Sequence, residues 1–144
     1  MNLIPYKGEL FESIGILRYS FKENYGYKLI VEIDKDIAEY YRSLIPPWKG
    51  KISPQMYAPH ISVVRKEVPP NLDVWGKYNG EEIKFLYSNY INQGTVYWWL
   101  NAFSTRLEEI RVELGLPVSS QYTLPPEGHI KAWHITLGNY KNVS

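Results

Sequence analysis

Two short segments decide how this chain is read: Pro59-His60-Ile61-Ser62-Val63-Val64-Arg65 and Trp133-His134-Ile135-Thr136-Leu137. Both are β-prone, and both place His, Ile and a hydroxyl residue in a row. In an extended strand, residues i and i+2 point to one face. His60 therefore shares a face with Ser62, and His134 with Thr136. Ile61 and Ile135 point the other way, toward helices packed on the outside. The chain holds three histidines, and two of them sit in this pattern. The third, His129, follows Gly128 and reads as a loop residue.

Working outward, each motif is preceded by the same order of elements. The alternation of Tyr27 to Ile33 predicts a strand. Asp34 and Asp36 can cap the next segment, where Ile37, Tyr40, Tyr41 and Leu44 recur at helical spacing and predict a helix over 36–45. In the second half, Ile83 to Tyr87 and Thr95 to Leu100 predict strands. Ser104 then caps a helix with Leu107, Ile110 and Leu114 on one face, and Gly115 closes it. The pairs Pro46-Pro47, Pro69-Pro70 and Pro125-Pro126 must fall outside helix interiors and central strands. The expectation is an α+β fold in a single domain over 1–144, duplicated over about 15–70 and 81–140 in architecture but not in sequence. Two pseudo-symmetric lobes, each a small antiparallel sheet with an outer helix, would face a central cleft.

Composition narrows the function. The 144 residues are 44% hydrophobic and 22% charged, which suits a globular protein and not a disordered one. A formal net charge of +1 excludes a polycation that grips duplex nucleic acid by bulk charge. With no cysteine there is no disulfide and no thiolate nucleophile. A metal site could use only His and carboxylates, and no His-x-x-x-His or equivalent cluster offers one. Glycine-rich phosphate loops are absent. The expectation is therefore no metal and no cofactor. No apolar run approaches the ~18 residues of a membrane span, and the first residues lack a leader's basic-then-apolar order. The chain reads as cytoplasmic, without a membrane or an obligate protein partner.

The two motifs suit phosphodiester cleavage. An unperturbed imidazole titrates near ~6.5, so near pH 7 one His can be neutral and the other charged. The neutral one takes a proton from the attacking oxygen, and the charged one gives a proton to the leaving oxygen. Ser62 and Thr136 can donate to the non-bridging phosphate oxygens. Which His is base and which is acid stays open at this level.

These motifs resemble the 2H phosphoesterase superfamily, which includes the LigT-like RNA 2′,3′-cyclic phosphodiesterases and ligases. Ser62 stands where Thr is commoner in that pattern, and the hydroxyl is kept. A closer likeness is to small phage anti-CBASS proteins, which cleave the cyclic di- and trinucleotide signals of bacterial antiphage defence. It is carried by Tyr40-Tyr41-Arg42-Ser43-Leu44-Ile45-Pro46, Met56-Tyr57-Ala58-Pro59-His60, Trp75-Gly76-Lys77-Tyr78 and His134-Ile135-Thr136-Leu137-Gly138-Asn139. The resemblance implies a metal-independent phosphodiesterase in a host bacterial cytoplasm. An adjacent ribose 2′-OH would open a 3′–5′ linkage and leave a 2′,3′-cyclic phosphate as first product. His60, Ser62, His134 and Thr136 would be the catalytic set. A cyclic oligonucleotide would be the partner, with no duplex nucleic acid.

The chain carries 13 Tyr and 5 Trp, and stacking on such rings tolerates any base. Tyr27, Tyr57, Trp75, Tyr97 and Trp99 are the candidate base contacts, and Lys28, Arg65 and Lys131 could steer phosphates. Two other functions fit the same residues: turnover of linear RNA 2′,3′-cyclic or 2′–5′ ends, and a non-catalytic nucleotide-binding module.

Overall fold

A computed structural model describes residues 2–50 and 52–140. The fold is α+β. The strands are β1 (Ile4–Pro5), β2 (Leu10–Lys22), β3 (Gly26–Glu32), β4 (His60–Arg65), β5 (Glu82–Ser88), β6 (Asn92–Gln93), β7 (Tyr97–Phe103), β8 (Thr123–Leu124) and β9 (Trp133–Asn139). Helix α1 (Lys35–Ser43) lies between β3 and β4, and α2 (Thr105–Glu113) between β7 and β9. The helices have nine residues each, and among the described residues no helix is long and apolar enough to cross a membrane.

Local chemistry sets the element ends. The Asp34 carboxylate accepts from the Asp36 amide at 2.9 Å and starts α1. The helix stops at Leu44, ahead of Pro46-Pro47. Ser104 Oγ accepts from the Leu107 amide at 3.3 Å and starts α2. Gly115 comes next at φ 82°, a left-handed conformation that glycine adopts without steric cost.

One antiparallel sheet runs β5-β2-β3-β4-β9-β7-β6. Strand β5 also pairs with β7, through Leu86–Phe103 and Tyr87–Ala102. Six strands therefore form a hydrogen-bonded ring, with β6 outside it. The sequence reading has no strand over 10–22, yet β2 is the longest in the molecule. Its first part pairs with β5 from Leu10 to Ile16, and its second with β3 from Ile16 to Lys22. The crossover needs Gly15, where an added Cβ would lie 2.5 Å from both the Glu32 carbonyl oxygen and a Val31 methyl. The two-residue parallel pairing of β1 with β8 was also not expected.

The centre of the sheet is the pairing of Ile61 on β4 with Ile135 on β9. Val31 flanks Ile61 and Leu100 flanks Ile135. All four side chains are fully buried. This apolar row joins the two motif strands back to back with the core. At about 25 cal/mol per Å² it is the kind of burial that fixes register, because a one-residue slip would expose all of it.

Candidate functional site

The isoleucine pairing determines what lies on the opposite face. In antiparallel register one step either side of Ile61–Ile135, His60 faces Thr136 and Ser62 faces His134. Directly opposed side chains in such a ladder have Cβ atoms about 4.5–5.5 Å apart. The two imidazoles thus sit diagonally across one floor, each beside the other strand's hydroxyl. All four residues line a single cavity of about 590 Å³.

Each motif strand carries a bulge immediately after its hydroxyl. In β4, Leu29 pairs with Val64 and Ile30 with Ser62, so Val63 is the extra residue. In β9, Trp98 pairs with Gly138 and Trp99 with Thr136, so Leu137 is extra. Bulges re-aim side chains and gather near functional sites. Here each bulged carbonyl is held by an arginine from a helix in the other half of the chain. Arg111 of α2 donates to Val63 O at 2.8 Å, and Arg42 of α1 donates to Leu137 O at 3.1 Å. Arg111 also donates to Pro117 O at 2.9 and 2.8 Å and makes a bidentate pair with Glu67 at 2.8 and 2.9 Å. That arginine holds the Glu67 carboxyl below its usual pKa.

The histidines are held differently. His60 Nδ1 lies 2.8 Å from the Ala58 carbonyl. A carbonyl only accepts, so Nδ1 carries the proton and Nε2 is left for exchange with a ligand. His134 opens to the cavity, with Trp99 stacked on its ring at 5.0 Å between centroids and 29° between planes. The side chain is exposed to the open cavity, but desolvation by the protein around it, and secondly the Lys131 ammonium, lower its pKa to about 4. The ring is therefore neutral at pH 7. Buried Glu108 of α2 supports this edge by accepting from the Ile130 and Lys131 amides at 2.7 and 2.9 Å. Burial, and secondly Arg111, also lower the Lys131 pKa.

The structure divides the aromatic candidates. Tyr57, Tyr97 and Trp99 line the cavity, as do Lys28, Arg65 and Lys131. Tyr27 and Trp75 are outside its lining and pack on each other edge-to-face at 5.0 Å, with Tyr19 against Trp75 at 4.9 Å. The physical reason is strand alternation. Tyr27 shares a face with Leu29 and Val31, which are fully buried, so it points to the core side. His129 sits in the loop before β9, its ring 6.0 Å from Phe103, and does not line the cavity. Tyr122, Gln55 and Gln121 line it without having been singled out. Tyr122 is 71% exposed. Its one sequence signal was position: like Tyr57, it lies in the loop leading toward a motif strand.

No Asp or Glu lines this cavity, and among the described residues no group of three His, Cys, Asp or Glu could hold a metal ion. The floor offers two proton-transfer groups, two hydroxyl donors and three cationic side chains. Cations and hydroxyl donors of this kind can hold an anion, and imidazoles can exchange protons with it. Compared with known proteins, the chain matches no protein-family model, no curated protein and no solved structure.

Proposed function

We propose that this chain is a metal-independent phosphodiesterase that opens a 3′–5′ linkage of a cyclic di- or trinucleotide by two-histidine acid–base catalysis. The observation that carries the reading is the Ile61–Ile135 register, which brings both His-hydroxyl pairs to one carboxylate-free cavity floor. The chain order β2-β3-α1-β4 and then β5-β7-α2-β9 supports the two-lobe, 2H-like arrangement. A twofold relation would exchange the paired bulges and the paired arginines.

His134, neutral at pH 7, is the base: it takes the proton of the ribose 2′-OH. The 2′-oxygen forms a bond to phosphorus as the bond to the 5′-oxygen breaks. Protonated His60 gives its Nε2 proton to that leaving oxygen, while its Nδ1–H stays on Ala58 O. Ser62 and Thr136 donate to the non-bridging oxygens, where charge is held in the transition state. The products are a 2′,3′-cyclic phosphate and a free 5′-OH. Tyr57, Tyr97 and Trp99 stack the bases, at about 1–3 kcal/mol per base. The role is phage evasion of a cyclic-nucleotide immune signal in the bacterial cytoplasm. Phosphorus NMR of the reaction tests the chemistry. The reading predicts a five-membered cyclic phosphate signal, and direct appearance of a 5′-phosphate would overturn it.

A further inference from the structure

Past Ser62, the cavity continues into a wall whose charge one phosphodiester does not account for. We propose that Lys28 and Arg65 form a second phosphate subsite, so that the substrate carries at least two phosphates; Lys131 lines the same cavity, its ammonium donating to Ser119 O at 3.2 Å. This rests on the phosphodiesterase reading for its chemistry but on separate residues for its geometry.

The β4 bulge creates the subsite. In a regular strand Val64 would come after Ser62 on the cavity face. The extra residue Val63 turns both Val63 and Val64 into the core, at 3% and 0% exposure, and returns Arg65 to the side of His60 and Ser62. The register then sets Arg65 directly opposite Lys28 on β3. Like charges opposed in a ladder repel, and this pair is kept without a neutralising acid. Neither residue makes an ion pair among the described residues. The nearby carboxylate, Glu67, is already engaged by both arms of Arg111. The Lys28 ammonium instead lies over the rings of Tyr57 and Tyr25, at 5.1 and 5.6 Å, with its charge open to the cavity. A polar recess of about 320 Å³ adjoins the wall, shares Ser62, Arg65 and Lys131 with it, and is also lined by the paired Glu67 and Arg111.

The other half of the site lacks this charge. The β9 residue equivalent to Arg65, three past the hydroxyl, is Asn139, which is buried and hydrogen-bonded to Gln55. The pseudo-symmetric floor therefore has one cationic end and one amide end. The scissile phosphate sits between the histidines, and a neighbouring phosphate of the same molecule sits at Lys28–Arg65.

The experiment has a kinetic and a binding arm, on wild type, Arg65→Gln, Lys28→Gln and Arg65→Lys. The kinetic arm compares a 3′,3′-cyclic dinucleotide with a linear 3′–5′ dinucleoside monophosphate, which carries one phosphate and the same adjacent 2′-OH. Expected is a fall in kcat/KM of at least tenfold more on the dinucleotide than on the monophosphate for both glutamine variants, expressed through KM, with partial recovery in Arg65→Lys. Equal losses on the two substrates, or none, would overturn the subsite. The binding arm measures pyrophosphate by calorimetry. Expected is binding to wild type weakened at least tenfold in each glutamine variant; no binding, or unchanged binding, overturns it. If wild type cleaves neither substrate, the phosphodiesterase reading fails and the pyrophosphate arm alone decides the subsite.

Discussion

Replacing Arg111 with Met removes a buried guanidinium that ties three parts of the chain together. Its side chain is 6% exposed. It holds the bulged Val63 carbonyl, the Pro117 carbonyl beyond α2, and the Glu67 carboxylate beyond β4. Met fills much of the stem's volume, so the loss is of hydrogen bonds and charge rather than of packing. Hydrogen bonds to charged groups are worth about 1.5–3 kcal/mol each and are not additive within one side chain. Removing one partner of a buried pair costs about 3–5 kcal/mol. Glu67 is 34% exposed and can turn to water, which places Arg111→Met near the low end, at about 3 kcal/mol. For a chain of this size that lowers Tm by roughly 6–12 °C. Urea unfolding monitored by tryptophan fluorescence measures it, with the slope m unchanged. Arg42→Met, which loses one hydrogen bond to Leu137 O, should cost about 1.5 kcal/mol, the low end for a charged donor. A loss under 1 kcal/mol in Arg111→Met, or equal losses in the two variants, would refute the idea that Arg111 anchors the β4 bulge.

The same geometry predicts other outcomes. Glu67 has a folded pKa below its unfolded value, so its contribution to stability is present above about pH 4.5 and lost as pH falls through the folded value; acid titration of stability should show this limb in wild type and not in Arg111→Met. His134 is also depressed, to about 4 from 6.5, so between those values the unfolded chain binds the proton and the folded one does not, and stability falls as pH drops through that window. In His134→Gln that fall should flatten, and a curve parallel to wild type would show that His134 is not the group responsible. Gly15→Ala should destabilise by about 1–3 kcal/mol through overpacking against Val31 and the Glu32 carbonyl, read from thermal unfolding; a neutral result would mean β2 does not cross between its partners so closely. Tyr57→Ala and Trp99→Ala should raise KM for a cyclic dinucleotide by about tenfold or more, whereas Trp75→Ala should lower stability and leave KM unchanged, because its ring packs on Tyr19 and Tyr27 outside the cavity.

The features legible in the sequence obey rules that act within a few residues. Period-two alternation put His60 with Ser62 and His134 with Thr136, and side-chain caps located both helices to within a residue or two. The same alternation, carried from Leu29 and Val31 back to Tyr27, places that ring on the core side, so its position outside the cavity lining is legible in the sequence. Strand β2 was not. Its apolar residues fall on both faces because it serves two partner strands in turn, and Gly15 interrupts the run for a reason only a neighbouring strand supplies. The bulges at Val63 and Leu137 depend on cross-strand register and leave no local mark. Arg65 reaches the cavity only through one of them. The pairing of Ile61 with Ile135 joins residues far apart in the chain, and no local pattern could set their register.

The central claim is that two histidines on adjacent strands perform metal-independent cleavage of a cyclic nucleotide. The most direct test is a chromatographic assay of 3′,3′-cyclic GMP–AMP with purified protein in EDTA, beside His60→Ala and His134→Ala. The account predicts loss of the cyclic substrate with wild type and an intact substrate with either variant. An intact substrate with wild type, or equal turnover by the alanine variants, would contradict it.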